Sequence, residues 1–236
     1  MKKIIVAIVV AVAVLFAAGE FGVRWLIGNE LAQQSPQAQI AFGPTPVLFS
    51  LVTGTIPEVD VETESTLSYS PSGDSFEGTP ASQVHMEGLN TKTNTALFMR
   101  VTTMFPDAFL TIVAQQGLEQ QLSGLMQAVV RISAVTSDPQ TGNVQVEFTE
   151  GAASLVLEPS VRNGALSFAA TEATLLGFDL PEGVVDRISS ALSEAAQSQA
   201  QNEAMSVEAV EVIDGGVRLT LTGHYVEQNT VEYAGQ

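Results

Sequence analysis

The stretch LPEGVVDRISSALSEAAQSQAQNEAMSVEAVEVIDGGVRLTLTGHYVE, Leu180 to Glu227, decides the reading of this chain. In its first half Val184, Val185, Ile188, Leu192, Ala195 and Ala196 recur at three- and four-residue spacings. Asp186, Arg187, Ser190, Glu194 and Gln197 fill the opposite arc, which is the pattern of a helix with one apolar stripe. Pro181 and Glu182 suit a first turn, because proline has no donor to leave unpaired there and a carboxylate complements the positive end of the helix dipole. After Met205 the period becomes two, and Asp214, Gly215 and Gly216 supply a hairpin turn. The returning strand alternates Val217, Leu219, Leu221 and Gly223 against Arg218, Thr220, Thr222 and His224. A striped helix and a one-sided sheet both need cover, so the helix is expected to lie on a curved antiparallel sheet.

Working outward, the same grammar repeats. Phe42 to Gly54 is a proline-led apolar knot of Val47, Leu48, Phe49, Leu51 and Val52 that ends on a glycine suited to terminate a short helix. Strands are expected over Thr55 to Tyr69, Val84 to Leu89 and Thr95 to Phe105, the last with large apolar groups on both faces. Pro106 and Asp107 open a second helix through about Leu125, with Phe109, Leu110, Ile112 and Val113 in its apolar set. Strand pieces at Ala128 to Thr136, Val144 to Thr149, Ala153 to Leu157 and Ala165 to Ala170 follow, with turns at Asp138 to Gly142 and Arg162 to Gly164. The fold class expected is α+β: a long, strongly twisted antiparallel sheet wrapped around amphipathic helices, leaving an apolar groove.

Composition narrows function mainly by exclusion. Twenty-six acidic residues against 9 basic ones give a net charge of −17, so a phosphate backbone is repelled and nucleic acid is excluded as a partner. The absence of cysteine removes disulfides, thiolate metal sites, a cysteine nucleophile and an acylated lipoprotein anchor. No G-x-S-x-G elbow, zinc spacing, phosphate loop or dinucleotide fingerprint occurs, and Asp138 to Gly142 lacks the repeated carboxylates of a calcium loop. His85 and His224 read as ordinary surface histidines. The expectation is therefore no catalytic residue, no metal and no cofactor. What is abundant is apolar side-chain surface, with 45% hydrophobic residues converging on one interior, either packed solid or hollow enough for an acyl chain.

Lys2 and Lys3 precede an apolar run from Ile4 to Gly19, the order of an export signal. That run spans roughly 24 Å as a helix, slightly short of the roughly 30 Å hydrocarbon core of a bilayer. Ala17, Ala18 and Gly19 offer a cleavage site, whereas Phe21, Val23, Trp25, Leu26 and Ile27 extend the run as an anchor. Residues 1–24 are accordingly read as signal peptide or membrane anchor and 25–236 as a single domain outside the cytoplasmic membrane.

In order, the segments FGPTPVLFSLVTGTIPEVDV, Phe42 to Val61, then LPEGVVDRISSAL and GGVRLTLTG resemble the LmeA-like phospholipid-binding family of actinobacterial cell-envelope proteins. That resemblance implies a tubular lipid-binding type of fold, an acyl lipid as partner and a role in envelope lipid or lipoglycan assembly; it carries over no catalytic residue. The residues expected to line or gate the groove are Leu48, Phe49, Val52, Phe98, Phe105, Phe109, Val113, Val184, Ile188 and Leu192. The alternatives are a membrane-tethered module with a filled core that binds envelope-assembly proteins, and a lipid hydrolase. Mass spectrometry of the mature amino terminus separates the two leader readings: an intact Met1 on the membrane-associated protein marks an anchor, a start near residue 20 a cleaved signal.

Overall fold

A computed structural model describes residues 38–121, 131–179 and 204–227. Among them the chain is mostly β. Thirteen strands are joined by one helix longer than a single turn. The expected α+β class, with a sheet wrapped around amphipathic helices, is therefore corrected to a mainly β protein. The strands are longer than the sequence suggested: the fragment expected at Ala153 to Leu157 runs on to Arg162, and that at Ala165 to Ala170 runs on to Leu175. Apolar alternation fails at Glu158–Pro159–Ser160 and Thr171–Glu172, but cross-strand pairing continues through both, with a bulge between Ala170 and Glu172. The helix expected from Leu180 lies outside the described residues.

The chain divides into two compact units. The first contains β1 (Ala38–Phe42), β2 (Thr55–Thr63), most of β5 (Ser82–Asn90), the first half of β6 (Thr95–Pro106) and the end of β13 (Gly216–Glu227), hydrogen-bonded in the order β1-β2-β5-β6-β13. Its buried apolar side chains include Val47, Ile56, Val59, Met86, Leu89, Ala96, Met99 and Val226. The apolar knot forms a 3-10 turn, Val47–Phe49, and a one-turn helix, α1 (Ser50–Thr53), closed by Gly54 at φ +71° with its N–H donating to the Ser50 carbonyl at 2.7 Å. The strand expected to run to Tyr69 stops at Thr63. Tyr69 belongs instead to the short hairpin β3 (Ser68–Tyr69) and β4 (Phe76–Glu77) of the second unit. Near its end β13 slips by one residue: Tyr225 is left-handed, φ +55°, so Gly223 and Val226 are buried while Tyr225 points outward, 74% exposed.

The second unit holds the meander β7 (Ile132–Asp138), β8 (Asn143–Phe148), β9 (Ala153–Arg162) and β10 (Ala165–Leu175), which ends in β11 (Phe178–Asp179). Val135, Val144, Val146, Leu155, Leu157 and Ala173 form its core. Asp138 to Gly142 is the hairpin turn expected, with the Asp138 carboxylate accepting from the Gln140 N–H and the Thr141 hydroxyl. The hairpin of β12 (Met205–Ile213) and β13 also forms, but of its turn glycines only Gly215 has positive φ. Gly216 is required for another reason: a Cβ there would collide with the Phe105 carbonyl, so the strand can pass only without a side chain.

The helix α2 (Asp107–Gln121) covers the β7 edge of this sheet through side chains at i, i+4 and i+8. Asp107 accepts from the Ser137 N–H at 3.1 Å and the Ser137 hydroxyl at 2.6 Å. The Thr111 hydroxyl accepts from the Val135 N–H at 2.9 Å, and the Gln115 amide oxygen from the Ile132 N–H at 2.7 Å. The β7–β8 register shift between Ile132 and Ala134 turns the third N–H toward the helix. Because Ser137 is buried, Asp107→Ala strands two donors and is expected to destabilise the protein by about 1–3 kcal/mol, read as a lower chemical-denaturation midpoint with an unchanged slope.

Candidate functional site

The polar stripe that ties α2 to β7 fixes which way the helix's apolar residues face. Leu110 and Ala114 pack against the meander core and Ile112 is buried. Phe109 is half-buried beside Phe105 of β6, ring centroids 5.5 Å apart and nearly parallel, and beside Phe76 of β4 at 4.7 Å and 54°. Val113, one turn on, is 42% exposed. Apolar residues therefore occur on more than one side of this helix, and Phe76, Phe105, Phe109 and Val113 form a partly open surface of rings and branched carbons. Both ring pairs lie within the separations at which aromatic side chains attract one another.

Of the ten residues expected to line a groove, Phe105, Phe109 and Val113 share this second unit. Leu48 and Phe98 belong to the first, where Leu48 is half-buried beside the buried Val47. Phe98 sits in polar company: its ring is 5.3 Å from His224 and 6.4 Å from His85, with the Arg100 guanidinium 5.5 Å from its centroid. The side chains of Phe49 and Val52, and all of Val184, Ile188 and Leu192, lie outside the described residues. Phe76 was missed by sequence reading because it sits in a Ser-, Gly- and Pro-rich loop with no periodicity to mark it.

Beside α2 the second unit also opens a cleft of about 800 Å³. Ser72, Asp74 and Ser75 of the β3–β4 turn, Thr111, Ile112, Gln115 and Glu119 of α2, and Arg131, Ile132 and Ser133 line it, so its wall mixes polar and charged groups with two isoleucines. Hydrogen bonds from Ser72 and Ser70 to the Asp74 carboxylate hold its pKa below the usual carboxylate range.

In the first unit the acidic face of β2 meets β5. His85 Nδ1 lies 2.7 Å from Asp60 Oδ1, and Nε2 lies 3.4 Å from Glu87 Oε1. Glu58, Asp60 and His85 bring their ligand atoms within 4.8 Å of one another. With a carboxylate at each ring nitrogen, the imidazolium is the form that satisfies both bonds, which makes this first an ion-pair cluster.

The fold and these surfaces define a β-rich protein with a partly open aromatic surface. Residues 18–222 match the family model described as LmeA-like phospholipid-binding, and the chain belongs to that family. Neither the curated proteins nor the solved structures contain a significant match. Among the described residues no helix is long and apolar enough to cross a membrane; the run from Ile4 to Gly19 lies outside them.

The hydrogen bond that His85 donates to Asp60 is the main cause raising the His85 pKa, partial burial opposes it, and Glu87 adds to it. A raised folded-state value means the stabilisation is fully present below the unfolded value of about 6.5 and is lost as pH rises through the folded one. Proton NMR titration of His85 should show a midpoint above that of a free imidazole, and Asp60→Asn should lower it and flatten the loss of stability with rising pH. An unchanged midpoint in the variant would disprove the pairing.

Proposed function

We propose that this chain is an exported cell-envelope protein that binds a phospholipid or related acyl lipid in an apolar groove and transfers or presents it during envelope lipid or lipoglycan assembly, without altering covalent bonds. The observation that carries the reading is the family match from residue 18 to residue 222, and the half-open Phe76–Phe105–Phe109–Val113 surface agrees with it. Each methylene removed from water onto such a surface contributes about 0.8 kcal/mol, so an acyl chain needs no charged anchor to bind. Lys2, Lys3 and the run to Gly19 supply export, either as a cleaved signal or as an anchor in the cytoplasmic membrane. Phe105, Phe109 and Val113 are the proposed lining residues of that surface; Leu48, Phe49, Val52, Val184, Ile188 and Leu192 each remain a proposed lining or gating residue in its own right, whereas the polar neighbours of Phe98 argue for a different role there.

A second reading, a tethered interaction module with a filled core that works on envelope-assembly proteins, draws on the polar lining of the cleft beside α2. Native mass spectrometry followed by organic extraction separates the two. The lipid carrier is expected to retain acyl lipid through purification and to take it up from liposomes. Phe109→Ser should reduce uptake roughly tenfold while the thermal transition shifts by only a few degrees. Purified protein with no bound lipid and no uptake supports the module instead.

A further inference from the structure

Among the described residues of the second unit, the most exposed large apolar side chains lie together at one hairpin tip. β10 and β11 pair Thr174 with Asp179 and Leu175 with Phe178, and the two residues between them, Leu176 and Gly177, are both left-handed at φ +53° and +79°. Two consecutive positive φ values make the tight turn that suits twisted strands. Leucine is an unfavourable residue for the first of those positions. Its backbone is held there by a 2.7 Å hydrogen bond from the Leu176 N–H to the Ala152 carbonyl, and the side chain stands in solvent. Exposure changes abruptly along the strand: Ala173 is 5% exposed, whereas Leu175, Leu176 and Phe178 are 48%, 72% and 77% exposed.

We propose that the Leu175–Phe178 hairpin tip inserts into the surface of a phospholipid bilayer and docks the protein where its lipid is collected or delivered. The proposal rests on the lipid-binding reading above. Three observations select a bilayer as the occupant. The tip is small and convex, and three side chains fall far short of the roughly 800 Å² per partner of a stable protein interface, whereas a fluid bilayer closes around whatever enters it. The residues around it, Glu172 and Asp179, are acidic and the whole chain carries −17, so anionic headgroups give no attraction and adhesion must come from apolar insertion. Finally, the chain belongs to a phospholipid-binding family, whose ligand resides in membranes.

The test is co-sedimentation with phosphatidylcholine vesicles of the chain from residue 25, free of the apolar run read as signal or anchor, and of its Leu176→Asn, Phe178→Ser variant. Asparagine tolerates the left-handed backbone, so the turn is kept while the apolar surface is removed. Vesicle partitioning is expected to fall at least roughly tenfold in the variant and to be insensitive to added salt in the parent. Circular dichroism and an unchanged melting transition verify that the variant is folded. Equal partitioning of the folded variant and the parent overturns the proposal, as does a change in the variant's oligomeric mass without a change in partitioning, which would make the tip a protein contact. Lipid content measured on the same preparations separates the two readings. A parent that holds no lipid yet needs the tip for vesicle binding refutes the carrier and leaves docking standing; lipid held equally with undiminished partitioning of the variant refutes docking alone.

Discussion

The second unit depends on how the open edge of its meander is closed. An edge strand exposes a row of backbone donors that water must solvate or another chain will pair. Here the row on β7 is answered by Asp107, Thr111 and Gln115, three polar side chains one helical turn apart on α2. A helix so tied cannot rotate about its axis. Its remaining residues are thereby assigned: Leu110 and Ala114 go to the sheet core, and Phe109 and Val113 are directed elsewhere. The open aromatic surface is thus a consequence of a hydrogen-bonding requirement met on another side of the same helix.

This coupling limits how the surface can vary. Phe109 can change without touching the edge closure, since it lies neither on the polar stripe nor among the meander's core residues. Asp107 cannot change independently, because its carboxylate serves both donors of a buried serine. The acidic β2–β5 face is a separate matter, organised around His85 in the first unit, and its geometry suggests a pH response in stability more than a role in holding apolar ligand.

Most strands and turns were legible in the sequence because they obey period two and are punctuated by residues with specific backbone roles. Asp138 to Gly142, Gly54 and the β12–β13 hairpin are examples. The balance of classes was not legible. β9 and β10 continue through residues that break the apolar alternation, and a bulge keeps the ladder paired where the pattern fails. The continuous strand expected from Thr55 to Tyr69 erred in the opposite sense, since alternation persists past Thr63 after pairing has stopped. For the candidate site, Phe105, Phe109 and Val113 were readable as apolar residues near the start of a helix, but Phe76 was not, because a two-residue strand has no period. Nor does one-dimensional pattern reveal that Asp107, Thr111 and Gln115 serve a neighbouring strand and not the helix itself.

The way the chain is distributed between its two units bears on how it is made. The meander strands are joined in sequence by short turns within one continuous stretch, 101–222, so their pairings have low contact order. The first unit draws on 1–64, 83–100 and 223–236, and its ladder includes the last strand of the chain. A nascent polypeptide emerging amino terminus first can pair β1, β2, β5 and β6 and close the meander while β6 still awaits β13 on its other side. The β6 edge of that ladder therefore stays open until synthesis is nearly complete, and a truncation of only a dozen or so carboxy-terminal residues would impair the amino-terminal unit before the meander.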